Sequence, residues 1–393
     1  MTVANAISDG AAEHLDSLTT APQGPTMLAA RAHPGETSLR LEQTAIPELG
    51  HGEALVRVHA SAVVQGLIFM WQAGHIPLLP ATLGMHIAGT VAEVAGDVEG
   101  WGSGDRVRVY SLVTCAQCDR CRNDTEFLCP TASLVGSAVF YGEPGLAHHE
   151  RYHNGGLAEY VRVPATALEK LPDTIPFAVG ARIHDAGVAV HAIRESGIQA
   201  GGTLVALGAS GAQGAVLARF APRLGVERLI AVGRSRSRLD EIRALDPKHV
   251  EVLALEELGD RWLEDDGLVR AIRDLVPTGA DAVIDYLPDT PAGGQAIRSL
   301  RPGGTSVVLG GNPYGLNVPG RLVMLNCWRV IGTRFASRRD AATAAALVAS
   351  GEVRMDDLIT HTFPLARVNE AVELVRERRA PAWLVNVEVS AGS

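Results

Sequence analysis

Two rhythms of apolar positions divide this chain. From Met27 onward, short segments alternate apolar and polar residues and are broken by Gly and Pro. Leu39 and Leu41, then Leu55, Val56 and Val58, fall at strand spacing with the turn-rich PELGHGE between them, a pattern that predicts β-strands. IAGTVAEVAGDVEGWGSGDRVRV and GGLAEYVRVPATALEKLP carry the same rhythm to Pro172, so a β-rich domain is expected over 27–180. From about Val205 the rhythm lengthens: TLVALGA, RLIAVG, VEVLAL, DAVIDY and GTSVVLGG are apolar runs separated by stretches of helical character. Strands alternating with helices predict a parallel sheet, expected over 181–335. Near the end, FPLARVNEAVELVRERR reads as a helix from Ala366 to Arg378 with Leu374 and Val375 on its apolar face, followed by a last strand.

Composition leaves this α/β picture in place and excludes several roles. A chain of 393 residues admits two domains, and 47% hydrophobic with 20% charged residues is ordinary globular material. The net charge of −9 gives no basic stripe for nucleic acid. Residues 1–26 are polar and poor in large apolar groups, which reads as a flexible tail; a signal peptide would need a cationic start and an apolar core. No uninterrupted apolar run reaches bilayer length. A cytoplasmic protein with neither nucleic-acid nor membrane partners is expected.

Chemistry enters at LVALGASGAQGAVLARF, where Gly208, Gly211 and Gly214 follow an apolar strand and open a helix. In that setting glycines permit a tight turn and let backbone N–H groups approach a pyrophosphate at a helix N-terminus; Ser210 and Gln213 lie within the same loop. Nineteen residues after Gly214, where an acid would hold a ribose 2′-hydroxyl, the chain reads AVGRSRSRL. Gly233 leaves room there, and Arg234 and Ser235, with Arg236 and Arg238 nearby, offer donors to a 2′-phosphate. The expected cofactor is NADPH. Pro222, within the helix after the loop, predicts a kink or an early end.

Four of the five cysteines, Cys115, Cys118, Cys121 and Cys129, crowd into fifteen residues as C-x2-C-x2-C-x7-C. Disulfides fit an oxidising compartment, and an iron–sulfur cluster is chemically open to four thiolates; the spacing favours one tetrahedral zinc per chain, structural because four sulfurs close its shell. Cys327, in VMLNCWRVIG, is read as a small buried residue of an apolar strand.

Together these features resemble the medium-chain dehydrogenase/reductase superfamily, in its zinc-containing alcohol dehydrogenase branch. The resemblance runs from about Met27 to Val389 and rests on GEALVRVHAS, GDRV, the four-cysteine lobe, GGLAEYVRVP, GASGAQG, LRPGGTSVVLGG and FPLARVNEAVE. It implies a GroES-like catalytic domain interrupted by a Rossmann domain, a small-molecule substrate between the two, a return of 336–393 to the catalytic domain, and a homodimer formed through the Rossmann domain. The family's alcohol dehydrogenases also carry a catalytic zinc. Its cysteine falls here on Val64, the histidine of its Gly-His-Glu on Met85 and its third ligand near Asp185, while the relay hydroxyl falls on Gly66 and the acid after it on Leu67. Valine has no donor atom, and zinc sites rarely use a thioether.

Reduction of a simple ketone needs its oxygen polarised by such a Lewis acid. Without one, the expected substrate is already activated: an enone or enoyl C=C, a quinone, or an iminium ion. His86, in the place of the motif's glutamate, and Asp185 are the candidate proton donors, since imidazole exchanges protons readily near neutral pH. One alternative is a zinc-dependent alcohol dehydrogenase or carbonyl reductase with shifted ligands drawn from His86, Asp185, His184 and His59. Another is a scaffold reused as a non-redox cyclase or NADPH-binding protein. Phe69 and Trp71 fit either a pocket wall or the core. The insertion SAVFYGEPGLAHHERYH, with His148, His149, Tyr152 and His153, reads as a lid or as a solvated loop.

Overall fold

A computed structural model describes residues 24–140, 142–377 and 382–389; the expected tail therefore lies, up to position 23, outside the described residues. The chain forms two compact units. One runs to Asp173 and returns over Thr362–Arg376 and from Asn386; the other spans Thr174–His361 with a short piece ending at Val385. The return comes at Thr362, later than the expected 336, because the helix Arg338–Ala349 packs on the helix Ile183–Ser196 of the second unit. Asp340 pins it there, accepting from Arg194 at 2.7 and 2.9 Å.

The first unit is built on the strand Glu53–Val63, which pairs antiparallel with both Ile87–Val94 and Tyr160–Pro164. Ile87–Val94 pairs onward with Arg106–Val109, and that strand with Leu168–Lys170. EALVRVHASAV is apolar at seven of its eleven positions, and all but Arg57 and His59 are buried, as a strand covered on both faces requires. A smaller sheet joins Thr26–Ala32 to Arg40–Ala45 and Ala81–Thr82. The helix Val368–Glu377 buries Val368, Ala371 and Val372. Its apolar stripe thus lies a turn earlier than expected, with Leu374 and Val375 half-buried. Asn369 sets this phase, accepting from Leu39 N at 2.8 Å and donating to Leu39 O at 2.9 Å.

The second unit holds six parallel strands: Gly202–Leu207, Val226–Gly233, Val250–Ala254, Ala280–Asp285, Leu300–Val308 and Arg329–Gly332. Numbered along the chain, they lie side by side in the order third, second, first, fourth, fifth, sixth. The order reverses between the first and fourth strands, where open α/β sheets bind ligands beyond the strands' carboxyl ends. Val205 pairs with Ile230 on one side and Val283 on the other, all three fully buried. The helix Ala212–Phe220 stops before Pro222, which sits in a 3-10 turn closed by Gly225 at φ +89°. Cys327 departs from expectation: it is exposed, at φ +52°, in the turn before the sixth strand, because that strand begins only at Arg329. No described helix is long and apolar enough to cross a membrane.

Candidate functional site

The glycine loop opens at the carboxyl end of the first strand. Gly208 takes φ +74°, a left-handed turn that side chains disfavour, and Gly211 precedes the helix Ala212–Phe220. A Cβ on Gly214 would lie 1.9 Å from the Ala209 carbonyl oxygen, so only glycine lets the helix close on the loop. At the end of the second strand, a Cβ on Gly233 would meet Leu239 at 3.1 Å and Ser210 Oγ at 3.2 Å. The structure thus brings Ser210 against Gly233, and any side chain at that position would need Leu239 and Ser210 to give by a few tenths of an ångström.

The arginines beyond Gly233 divide by their partners. Arg236 is taken up by Asp240 at 3.3 Å and Glu257 at 3.1 Å, which removes it from the expected phosphate site. Arg234 is exposed, and its guanidinium has no ion-pair partner among the described residues. Ser235 precedes the helix Arg236–Leu245, its hydroxyl 3.0 Å from that of Ser237.

Asp185 lies one turn into the buried helix Ile183–Ser196. Its Oδ1 accepts from Gln213 of the glycine loop at 2.9 Å, and its Oδ2 lies 3.4 Å from Arg182. Arg182, itself 1% exposed, has its pKa lowered by burial and supported by Asp185, and it also donates to the Val385 carbonyl. A carboxylate engaged in this way orients Gln213, a task the sequence did not suggest. His184 packs its ring 6.1 Å from that of Phe335.

At the carboxyl ends of the fourth to sixth strands a cavity of about 250 Å3 is lined by Asp285, Thr290, Asn312, Tyr314 and Val330. Burial pushes the Asp285 carboxyl up to about 6, against the N–H of Leu287 that bonds it at 2.8 Å.

In the first unit His86 is buried immediately before the strand Ile87–Val94, and the carbonyl of its neighbour Met85 accepts from Ser111 Oγ at 2.7 Å. Val64 caps the helix Gln65–Gln72, in which Leu67 and Trp71 are buried and Phe69 is 67% exposed; Trp71 is therefore core. His59 is half-buried, 3.2 Å from Thr90 Oγ1. Burial and the cations Arg57 and Arg106 lower its pKa.

The four cysteines converge. The pairing of Leu112–Val113 with Ser133–Leu134 closes the lobe, and Ala116 and Asp124 take left-handed φ of 55° and 54° to turn the chain within it. Sγ separations are 3.9 Å for Cys115 and Cys121, 3.6 Å for Cys118 and Cys121, and 3.6 Å for Cys129 and Cys115. Four sulfurs at about 2.3 Å from a tetrahedral zinc stand about 3.8 Å apart, whereas a disulfide needs about 2.05 Å. Burial, with Cys118 and Cys129 beside it, pushes the Cys121 thiol up to about 12, and a dication offsets this by stabilising the thiolate. The residues fit zinc.

The insertion helix Glu143–Tyr152 is clamped to this unit. Arg151 donates to buried Glu53 at 2.8 and 2.7 Å, and Tyr152 Oη at 3.0 Å.

Residues 50–173 match the model of the alcohol dehydrogenase GroES-like domain, and residues 212–350 that of the zinc-binding dehydrogenase. The chain belongs to the zinc-type medium-chain dehydrogenase/reductase superfamily. It is similar to a probable D-xylulose reductase A of Aspergillus clavatus, 29% identical over 93% of this chain and 97% of that protein. It is also similar to a sorbitol dehydrogenase of Bombyx mori, 26% identical over 90% and 97%. A solved structure of a putative zinc-binding dehydrogenase from Sinorhizobium meliloti 1021 bound to NADP superposes with a TM-score of 0.78 at 26% identity, over 93% of this chain and all of that one. The chain is thus an oxidoreductase of the zinc-binding dehydrogenase family, with residues suited to a nicotinamide cofactor and zinc.

Proposed function

We propose that this protein is an NADPH-dependent reductase that passes hydride to an already activated small-molecule acceptor, an enone or enoyl C=C or an iminium ion, without catalytic zinc. The observation that carries the reading is the pair Val64 and Met85, which stand where the resemblance expects a cysteine and a histidine. NADPH supplies the hydride; the chain binds and orients it and delivers a proton. Arg234, exposed beside the side-chain-free Gly233, is the group for the 2′-phosphate. Asp185 holds Gln213 and through it the loop, which leaves His86 as the proton donor. The four cysteines hold one structural zinc, and such unpaired thiols suit the reducing cytoplasm.

A second reading is favoured by the polyol-related names of the relatives: a carbonyl reductase with a rearranged zinc site using His86 and His184. Assay of NADPH oxidation with conjugated enones and enoyl thioesters, and with ketoses, before and after chelation, separates the two. The first reading expects C=C reduction that survives removal of weakly held metal. Ketose reduction that requires a second zinc overturns it.

The reading includes a homodimer. The sixth strand is the edge of its sheet, and a bare edge presents unpaired backbone groups. Val330 on it is 40% exposed, and the adjoining Met324 and Leu325 are 66% and 59% exposed.

A further inference from the structure

A second run of buried polar groups reaches the carboxyl ends of the parallel sheet. Asp340 forms a capping box with Ser337 at the start of the helix Arg338–Ala349. His191, fully buried on the helix Ile183–Ser196, sets Nδ1 2.7 Å from Asp340 Oδ2 and Nε2 2.7 Å from Thr333 Oγ1. Thr333 is half-buried and follows the sixth strand directly; its N–H donates to the Val308 carbonyl, at the end of the fifth strand, at 3.0 Å.

Arg194 Nη2 lies 3.0 Å from His191 Nδ1 and donates to the same Asp340 Oδ2 at 2.9 Å. Burial opposes ionisation of Asp340, but His191, Arg194 and Ser337 outweigh it and hold the carboxyl far below the usual carboxylate range. A carboxylate only accepts, so a hydrogen on His191 Nδ1 would serve it; the tautomer that carries this hydrogen alone leaves Nε2 a lone pair, to which Thr333 can donate its hydroxyl hydrogen. In that tautomer the hydroxyl is held on His191 and the remaining lone pairs of its oxygen can accept. Dinucleotides lie across such sheets with one nucleotide on each half. The glycine loop at the first strand and Arg234 at the second assign the 2′-phosphorylated adenosine to the first three strands. The nicotinamide half falls to the fourth, fifth and sixth, where Thr333 stands.

We propose that Thr333 accepts a hydrogen bond from the nicotinamide half of the cofactor, its carboxamide N–H or a ribose hydroxyl, with His191 and Asp340 as positioning residues. This rests on the NADPH reading above. Thr333→Val keeps the side chain's shape and removes the hydroxyl; Thr333→Ser keeps the hydroxyl. Calorimetry on the full chain measures Kd for NADPH and for 2′-phospho-ADP, which lacks both the nicotinamide and its ribose. The valine variant is expected to bind NADPH about three- to tenfold more weakly, the worth of one hydrogen bond, to bind the fragment as the unmodified protein does, and to be rescued by serine.

His191→Phe should reproduce the NADPH loss and add nothing to Thr333→Val, and imidazole nitrogen NMR should find the His191 hydrogen on Nδ1. With the 3-acetylpyridine analogue of NADPH, which has no carboxamide N–H, the penalty disappears if the carboxamide is the donor and persists if the ribose is. Unchanged NADPH affinity in Thr333→Val, or an equal loss for the fragment, overturns the proposal. Failure of the NADPH reading looks different, since the unmodified protein then binds neither ligand.

Discussion

Single side chains decide which chemistry this scaffold performs. On the proposed zinc-free reading, an acid in the place of His86 would bring an uncompensated negative charge, whereas an imidazole need not. If His86 protonates the reduced substrate, His86→Ala should lower turnover by roughly 10²-fold or more, the low end of general acid catalysis, and leave NADPH affinity nearly unchanged. Single-turnover hydride transfer, melting temperature and NADPH affinity measured on one preparation test this; a lower melting temperature with an unaltered transfer rate assigns His86 to packing. The proposed preference for NADPH rests on Arg234. Arg234→Ala should narrow the difference between NADPH and NADH binding by about 1 to 3 kcal/mol, and equal affinity for both in the unmodified protein would contradict the assignment.

Among the elements, the cysteine lobe and the insertion helix make separate predictions. The lobe should hold one zinc per chain by elemental analysis, and Cys118→Ser should lower the melting temperature while leaving hydride transfer measurable in the folded fraction. Two tightly held zincs would favour the rearranged-site reading. The insertion helix is tied down by Glu53. Burial opposes ionisation of this carboxyl, yet Arg151, the Gly50 N–H, the Tyr152 hydroxyl and Arg162 outweigh it and hold its pKa at about 2, below the ordinary 4.5. A depressed folded pKa contributes stability that is complete above pH 4.5 and is lost as pH falls toward 2. Glu53→Gln should therefore melt lower at pH 7 and show a shallower decline in melting temperature through that window. Identical slopes in the two proteins would exclude Glu53 as the clamp. The insertion thus forms a helix whose last turn is bonded to Glu53.

For the whole molecule, the proposed homodimer can be tested at the exposed edge strand. Light scattering should give twice the 41.4 kDa of one chain, and a charge on the edge, Val330→Glu, should shift it toward the monomer, because a buried unpaired carboxylate is costly. A monomeric mass for the unmodified protein would remove the dimer from the reading.

What could be read along the chain was what neighbouring residues decide. The cysteine spacing, the strand–glycine–helix order, the early stop at Pro222 and the two apolar rhythms all follow from backbone geometry over a few residues, so they were legible before any fold was known. The resemblance to the family's motifs added the two-domain plan and the expectation that Val64 and Met85 stand where zinc ligands would. Contacts between distant segments were not legible. Glu53 meets Arg151 across 98 positions, Asp185 meets Gln213 across 28, and His191 meets Asp340 across 149. No local pattern encodes such pairs, because their energy depends on burial that exists only once sheet and helices have closed. For the same reason the run RSRSR offered several equivalent cations, and only the fold showed that Arg236 is paired with Asp240 and Glu257.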